Sequence, residues 1–114
     1  MTKLYGISNC DTVRKAKNWL SDSKVDFEFI DYRKQSLNVE QVELWADSVG
    51  LDILINRRGT TWRNLSEKEK ALDTDRELVD LILKNPALIK RPVLEAKGEI
   101  VVGFKAENYT NIFL

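Results

Sequence analysis

The sequence predicts an α/β protein whose sheet is interrupted by a helical insertion. Three observations carry that reading: a strand–helix–strand pattern opens the chain, helical patterns fill its middle, and a hairpin followed by a helix closes it.

Residues 3–7, "KLYGI", read as a short strand. Val13, Ala16, Trp19 and Leu20 then share one face of a helix across residues 12–21. "VDFEFIDY", residues 25–32, alternates apolar Val25, Phe27 and Phe29 with polar Asp26 and Glu28, the period of a second strand. Two strands joined through one helix prefer to pair in parallel with a right-handed crossover. In the middle, Asn38 followed by Gln41 resembles a capping box, with Val39, Val42, Ala46 and Val49 on one face and Gly50 as the stop. Ser66 with Glu69, and Thr74 with Glu77, mark two further helix starts. The last of these helices carries Leu78 and Ile82 and ends at Asn85–Pro86. "PVLEA" and "EIVVG" flank Lys97–Gly98, a two-residue hairpin turn, and a helix from about Ala106 presents Tyr109, Ile112 and Phe113.

At 114 residues the chain suits one domain with a real core. Eighteen basic residues balance eighteen acidic ones, so no net field favours nucleic acid or an anionic membrane. Two absences narrow the chemistry. Without histidine there is no histidine-based triad and no ordinary near-neutral base. With one cysteine there is no intramolecular disulfide and no multi-thiolate metal site, so no metal is expected. Catalysis is left to one thiol, carboxylates, Lys/Arg, Tyr or hydroxyls. The longest apolar runs fall short of the ~20 residues a membrane span requires. The N-terminus carries no signal-peptide pattern, and a free thiol in that setting predicts a cytoplasmic protein.

The cysteine is Cys10, at the junction of the first strand and the first helix. Unpaired N–H groups of a helix's first turn stabilise a thiolate, the reactive form of cysteine. Asp11 opposes ionisation if it turns toward the sulfur and is harmless if it faces solvent as a cap. Core filling is the competing role, since free cysteine is among the most buried residues. The polar neighbours Ser8, Asn9, Asp11 and Thr12 speak against it. Two further segments carry arginines in unusual settings. "NRRGTTWRNL", residues 56–65, sets Arg57, Arg58 and Arg63 around Gly59, Thr60 and Thr61: either an exposed loop between helices or a seat for an oxyanion or carboxylate. "IKRPV", residues 89–93, puts Arg91 before Pro92 at a strand entrance.

In this order and spacing, "LYGISNCDTVRKAKNWL", "NRRGTTWRNL" and "IKRPVL" resemble the arsenate reductase (ArsC)/Spx family, and most closely its YffB-type branch. The resemblance runs essentially end to end. It implies a thioredoxin-like mixed sheet over about residues 1–35 and 87–114, with a helical insertion over about 36–86. Carried over by position, Cys10 resembles the family's nucleophile and Arg58 the anion-binding arginine of the insertion. Arg91 resembles the arginine before the family's cis-proline, which is Pro92 here. Arsenate reductases of this type have a further arginine after the last strand, where this chain has Phe104 with Lys105 adjacent. That departure disfavours arsenate and leaves room for a carboxylate-bearing thiol such as glutathione. Spx regulators use a Cys-x-x-Cys switch, and the second position is Val13 here.

The resemblance therefore implies a glutathione-dependent thiol–disulfide oxidoreductase with a single nucleophilic cysteine. No bound cofactor is expected; glutathione is a co-substrate. The alternatives are arsenate reduction, with glutathione or glutaredoxin as reductant, and a non-enzymatic Spx-like adaptor that binds another protein. For the adaptor, Trp45 and Trp62 are either interface anchors or core.

Overall fold

A computed structural model describes residues 1–114. The chain divides into two compact units, Met1–Gln35 with Arg91–Leu114, and Ser36–Lys90.

In the first unit, β1 (Thr2–Gly6) pairs in parallel with β2 (Phe27–Asp31), with α1 (Asp11–Asp22) between them in sequence. β3 (Val93–Ala96) runs antiparallel to β1, β4 (Glu99–Val102) runs antiparallel to β3, and α7 (Ala106–Phe113) closes the chain. The sheet order is β2-β1-β3-β4. This is the thioredoxin-like mixed sheet that the family resemblance implied. Lys97 (φ 52°) and Gly98 (φ 79°) both take the left-handed conformation that a tight hairpin turn requires. Leu4, Ala16, Leu20, Leu94, Ala96 and Tyr109 form the core, and Trp19 meets Tyr109 edge to face at 5.6 Å. Each fully buried leucine contributes roughly 1.5–3 kcal/mol.

The second strand is shorter than its alternating pattern. The Val25 amide bonds back to the Leu20 carbonyl at 2.9 Å, so Val25 belongs to the turn that ends α1. At the other end the Asp31 carboxylate accepts the Arg33 amide at 2.9 Å and bends the chain away.

The second unit holds α2 (Val39–Val49), the short helical turns α3 (Leu51–Leu54), α4 (Thr60–Arg63) and α5 (Glu67–Lys70), and α6 (Asp75–Lys84). Asn38 caps α2 by accepting the Gln41 amide at 2.8 Å. Ser66 and Glu69 close a reciprocal capping box, and Thr74 accepts the Glu77 amide. Val42 and Trp45 are the buried residues of α2, whereas Val39, in its first turn, is 43% exposed. Trp45 is wholly buried and so is core rather than an interface anchor. Residues 86–90 belong with this unit because the Lys90 amide donates to Leu54 at 2.8 Å and Ile89 bridges Ile55.

Candidate active site

Three chain segments meet at one end of the sheet because of its pairing register. Gly6, the last residue of β1, lies opposite Asp31, the last of β2. Tyr5 lies opposite Val93, the first residue of antiparallel β3. The residues that leave β1, leave β2 and enter β3 therefore emerge side by side. Strand ends of this kind are where open α/β sheets gather their functional groups. They supply Cys10, Tyr32 and Arg91.

Cys10 is the N-cap residue of α1, with extended backbone (φ −115°, ψ 128°), and its carbonyl accepts the Arg14 amide at 2.9 Å. The sulfur makes no capping hydrogen bond of full geometry, yet the Val13 and Thr12 amides bear on it. Partial burial pushes the thiol up. The Val13 amide, the Arg91 guanidinium and the Thr12 amide outweigh it, and the thiol is held below its ordinary value. Asp11 takes the harmless orientation: its carboxylate lies 2.8 Å from Arg14 and is 84% exposed.

Arg91 is half-buried and precedes a buried Pro92 across a cis peptide bond. Burial disfavours the charged guanidinium. Its hydrogen bond to Cys10 and the neighbouring Tyr32 more than compensate, so Arg91 is held more firmly charged than usual. Tyr32 is only 2% exposed, and burial pushes its phenol up to about 12. Its hydroxyl has no partner of full hydrogen-bond geometry, although Arg91 is near enough to act on it.

The loop that presents Cys10 is fixed from β2. The buried Asp31 carboxylate accepts the Ser8 amide at 3.3 Å and the Arg33 amide at 2.9 Å, with the Arg33 guanidinium 3.6 Å away. Burial raises the Asp31 carboxyl, but these donors outweigh it and hold the group below the usual carboxylate range.

Arg58 lies in the second unit, exposed, on the segment between α3 and α4. Its backbone is tied down at both ends. The Arg58 amide donates to Asn56 Oδ1 at 3.1 Å, and its carbonyl accepts Arg63 Nη1 at 3.0 Å. Arg63 also donates to Thr60 Oγ1, while Arg57 pairs with Asp52 at 3.1 Å and lies over the Trp62 ring. Arg57 and Arg63 are thus engaged within the loop.

Cys10, Arg91 and Pro92 come together within the first unit; Arg58 belongs to the second. Phe104, at the position of the further arginine, packs edge to face on Tyr109 at 4.9 Å, and the exposed Lys105 stands at the N-cap position of α7 without a side-chain capping bond. Sequence reasoning missed Tyr32 and Asp31. Their signal was the "IDY" run at the end of a strand predicted to be parallel.

The ArsC family model matches residues 5–112. The chain belongs to the ArsC family. The solved structure of the YFFB (PA3664) protein is 39% identical, with a TM-score of 0.97 and full coverage of both chains. An uncharacterized protein of Haemophilus influenzae is 38% identical over 99% of each chain. The global transcriptional regulator Spx 2 of Bacillus anthracis is 27% identical, over 94% of this chain and 82% of the regulator. This ArsC-family chain is thus similar to that regulator and also to an arsenate reductase (ArsC) related protein of Brucella melitensis, 40% identical over 98% of this chain and 93% of that one with a TM-score of 0.77. No helix in it is long and apolar enough to cross a membrane.

Proposed function

We propose that this ArsC-family protein is a thiol–disulfide oxidoreductase in which Cys10 is the sole nucleophile and glutathione the outside thiol. The observation that carries the reading is the Arg91 guanidinium bearing, together with the first amides of α1, on the Cys10 sulfur. A thiolate is the attacking species in disulfide exchange.

The Cys10 thiolate attacks the glutathione sulfur of a mixed disulfide. A Cys10–glutathione disulfide forms and the substrate leaves as its thiolate. With no second cysteine in the chain, a glutathione thiolate resolves the adduct. It attacks the bound glutathione sulfur, releases glutathione disulfide and restores the Cys10 thiolate. Arg91 is the anion-binding group beside the sulfur, and Pro92 forms part of the surface against which the substrate lies. Arg58, on the second unit, is assigned to a substrate carboxylate by its resemblance to the family's anion-binding arginine alone. The cytoplasm, where glutathione is the abundant thiol, is the compartment this chemistry needs.

The test is turnover of a glutathione mixed disulfide with glutathione as reductant, alongside mass analysis of the protein. A single glutathione adduct on Cys10, and no turnover by Cys10→Ser, is the expected result. Wild-type protein that forms no adduct would overturn the reading.

The similarity to Spx regulators supports a second reading, a protein-binding regulator. A two-cysteine switch is closed to it, because Cys10 is the chain's single cysteine and Val13 stands at the position of the second thiol. Cys10→Ser separates the two readings: an adaptor keeps its partner and a reductase loses turnover. Arsenate reduction, with glutathione or glutaredoxin completing the cycle, is disfavoured by Phe104, an aromatic packed on Tyr109 at the place of the further arginine.

A further inference from the structure

We infer that Tyr32 is a positioning residue that acts through Arg91, holding the guanidinium against the Cys10 sulfur. The inference deepens the thiolate part of the proposed function and is independent of glutathione.

The register supplies the first argument. Tyr32 directly follows the Gly6↔Asp31 pair, and Arg91 lies two residues before Val93, which pairs with Tyr5. The two residues thus flank the exit of β1 from opposite sides, and the chain leaving β1 reaches Cys10 four residues after Gly6. The Tyr32 amide is fixed to the Gly6 carbonyl at 3.2 Å, so the ring's starting point is set by the sheet and not by a loose loop.

Burial supplies the second. A phenol 2% exposed, whose hydroxyl oxygen lacks a partner of full geometry, is out of place in an apolar core. Phenylalanine would fill the same space without stranding a hydroxyl. The charged neighbours of that hydroxyl are Arg91, Cys10 and Asp31. The two anionic neighbours repel a phenolate. Tyr32 therefore stays a neutral phenol and presents its oxygen lone pairs to the one cation, Arg91. A long arginine side chain loses rotamer freedom when it is fixed, and a rigid acceptor beside it lowers the fraction of time the guanidinium spends off the sulfur.

The decisive experiment is the pH profile of Cys10 alkylation by iodoacetamide in wild type, Tyr32→Phe, Arg91→Ala and the double variant. No glutathione is present. The midpoint of the profile is the readout because the rate at one pH mixes thiolate fraction with intrinsic nucleophilicity. The expected result is a higher midpoint in Tyr32→Phe than in wild type, with the melting temperature nearly unchanged. In the Arg91→Ala background the same substitution should move the midpoint no further. Arg91→Lys, which keeps a charge but loses the planar fork, provides a second background should Arg91→Ala fold poorly, and there the Tyr32→Phe effect should shrink. An unchanged midpoint in Tyr32→Phe, or an equal shift with and without Arg91, would overturn the inference. A low wild-type midpoint without turnover of glutathione disulfides would sink only the substrate assignment. An ordinary wild-type midpoint would overturn both the thiolate reading and the role of Tyr32.

Discussion

Asp11, the residue next to Cys10, directs its carboxylate to Arg14 at 2.8 Å and is 84% exposed. A neighbouring anion would ordinarily raise a thiol, yet the largest influences on Cys10 are its burial, the Val13 and Thr12 amides and the Arg91 guanidinium. The pair is exposed on both sides, and water and salt screen what remains. Asp11→Asn should accordingly leave the midpoint of Cys10 alkylation where it is in wild type. A clear downward shift in that variant would mean the carboxylate spends appreciable time facing the sulfur.

The depressed Cys10 thiol makes stability depend on pH with a defined sign. A group whose folded pKa lies below its unfolded value stabilises the fold fully above the unfolded value, ~8.5 for cysteine, and loses that contribution as pH falls through the folded value. Wild type should therefore gain stability relative to Cys10→Ser as pH rises across that window, and the two should run parallel below it. Urea unfolding midpoints of both proteins at several pH values measure this. A difference that shrinks with rising pH would reverse the sign and remove the thiolate from the native state.

Arg58 offers a cleaner substitution than its loop suggests. Its fixed contacts run through its own amide and carbonyl, to Asn56 and from Arg63, and Arg58→Ala retains both. The loop should keep its shape and the protein its melting temperature. If the side chain binds a substrate carboxylate, kcat/KM for a glutathione mixed disulfide should fall by about tenfold to a hundredfold, as expected for losing one charge-assisted hydrogen bond worth roughly 1.5–3 kcal/mol. Unaltered kinetics would mean that the Arg58 side chain binds no substrate carboxylate.

Much of the architecture was legible because local signals agreed with the final packing. Capping residues Asn38, Ser66 and Thr74 begin helices as read, and Lys97–Gly98 turns the hairpin. The strand–helix–strand opening became the parallel β1–β2 pair. What sequence could not show is which groups the sheet register sets beside one another. Tyr32 reads as the end of an alternating strand, and its meeting with Arg91 depends on pairing between segments nearly sixty residues apart. The orientation of Asp11 was open for a related reason, since its rotamer depends on Arg14 one helical turn away. Val39 shows the opposite failure. Its spacing fits the apolar face of α2, but the buried positions are taken by Val42 and Trp45.

Gly6 links the sheet to the reactive end of α1. A β-carbon there would lie 2.8 Å from one Val13 methyl and 3.4 Å from the other, with Phe29 at 3.7 Å. Val13 is β-branched, fully buried and in the first turn of α1, so its side chain has few rotamers in which to retreat. The remaining response is a shift of the helix start, which carries Cys10 and the two amides that favour its thiolate. Gly6→Ala should destabilise the fold by about 1–3 kcal/mol, the usual cost of overpacking, and should raise the alkylation midpoint of Cys10. Val13→Ala removes the obstructing methyls at a cavity cost of its own. Combined with Gly6→Ala it should be less harmful than the sum of the two single changes, because the new methyl occupies part of the vacated space. Simple additivity in a double-mutant cycle of unfolding free energies would show that the two side chains do not compete, and the proposed route from Gly6 through Val13 to Cys10 would be wrong.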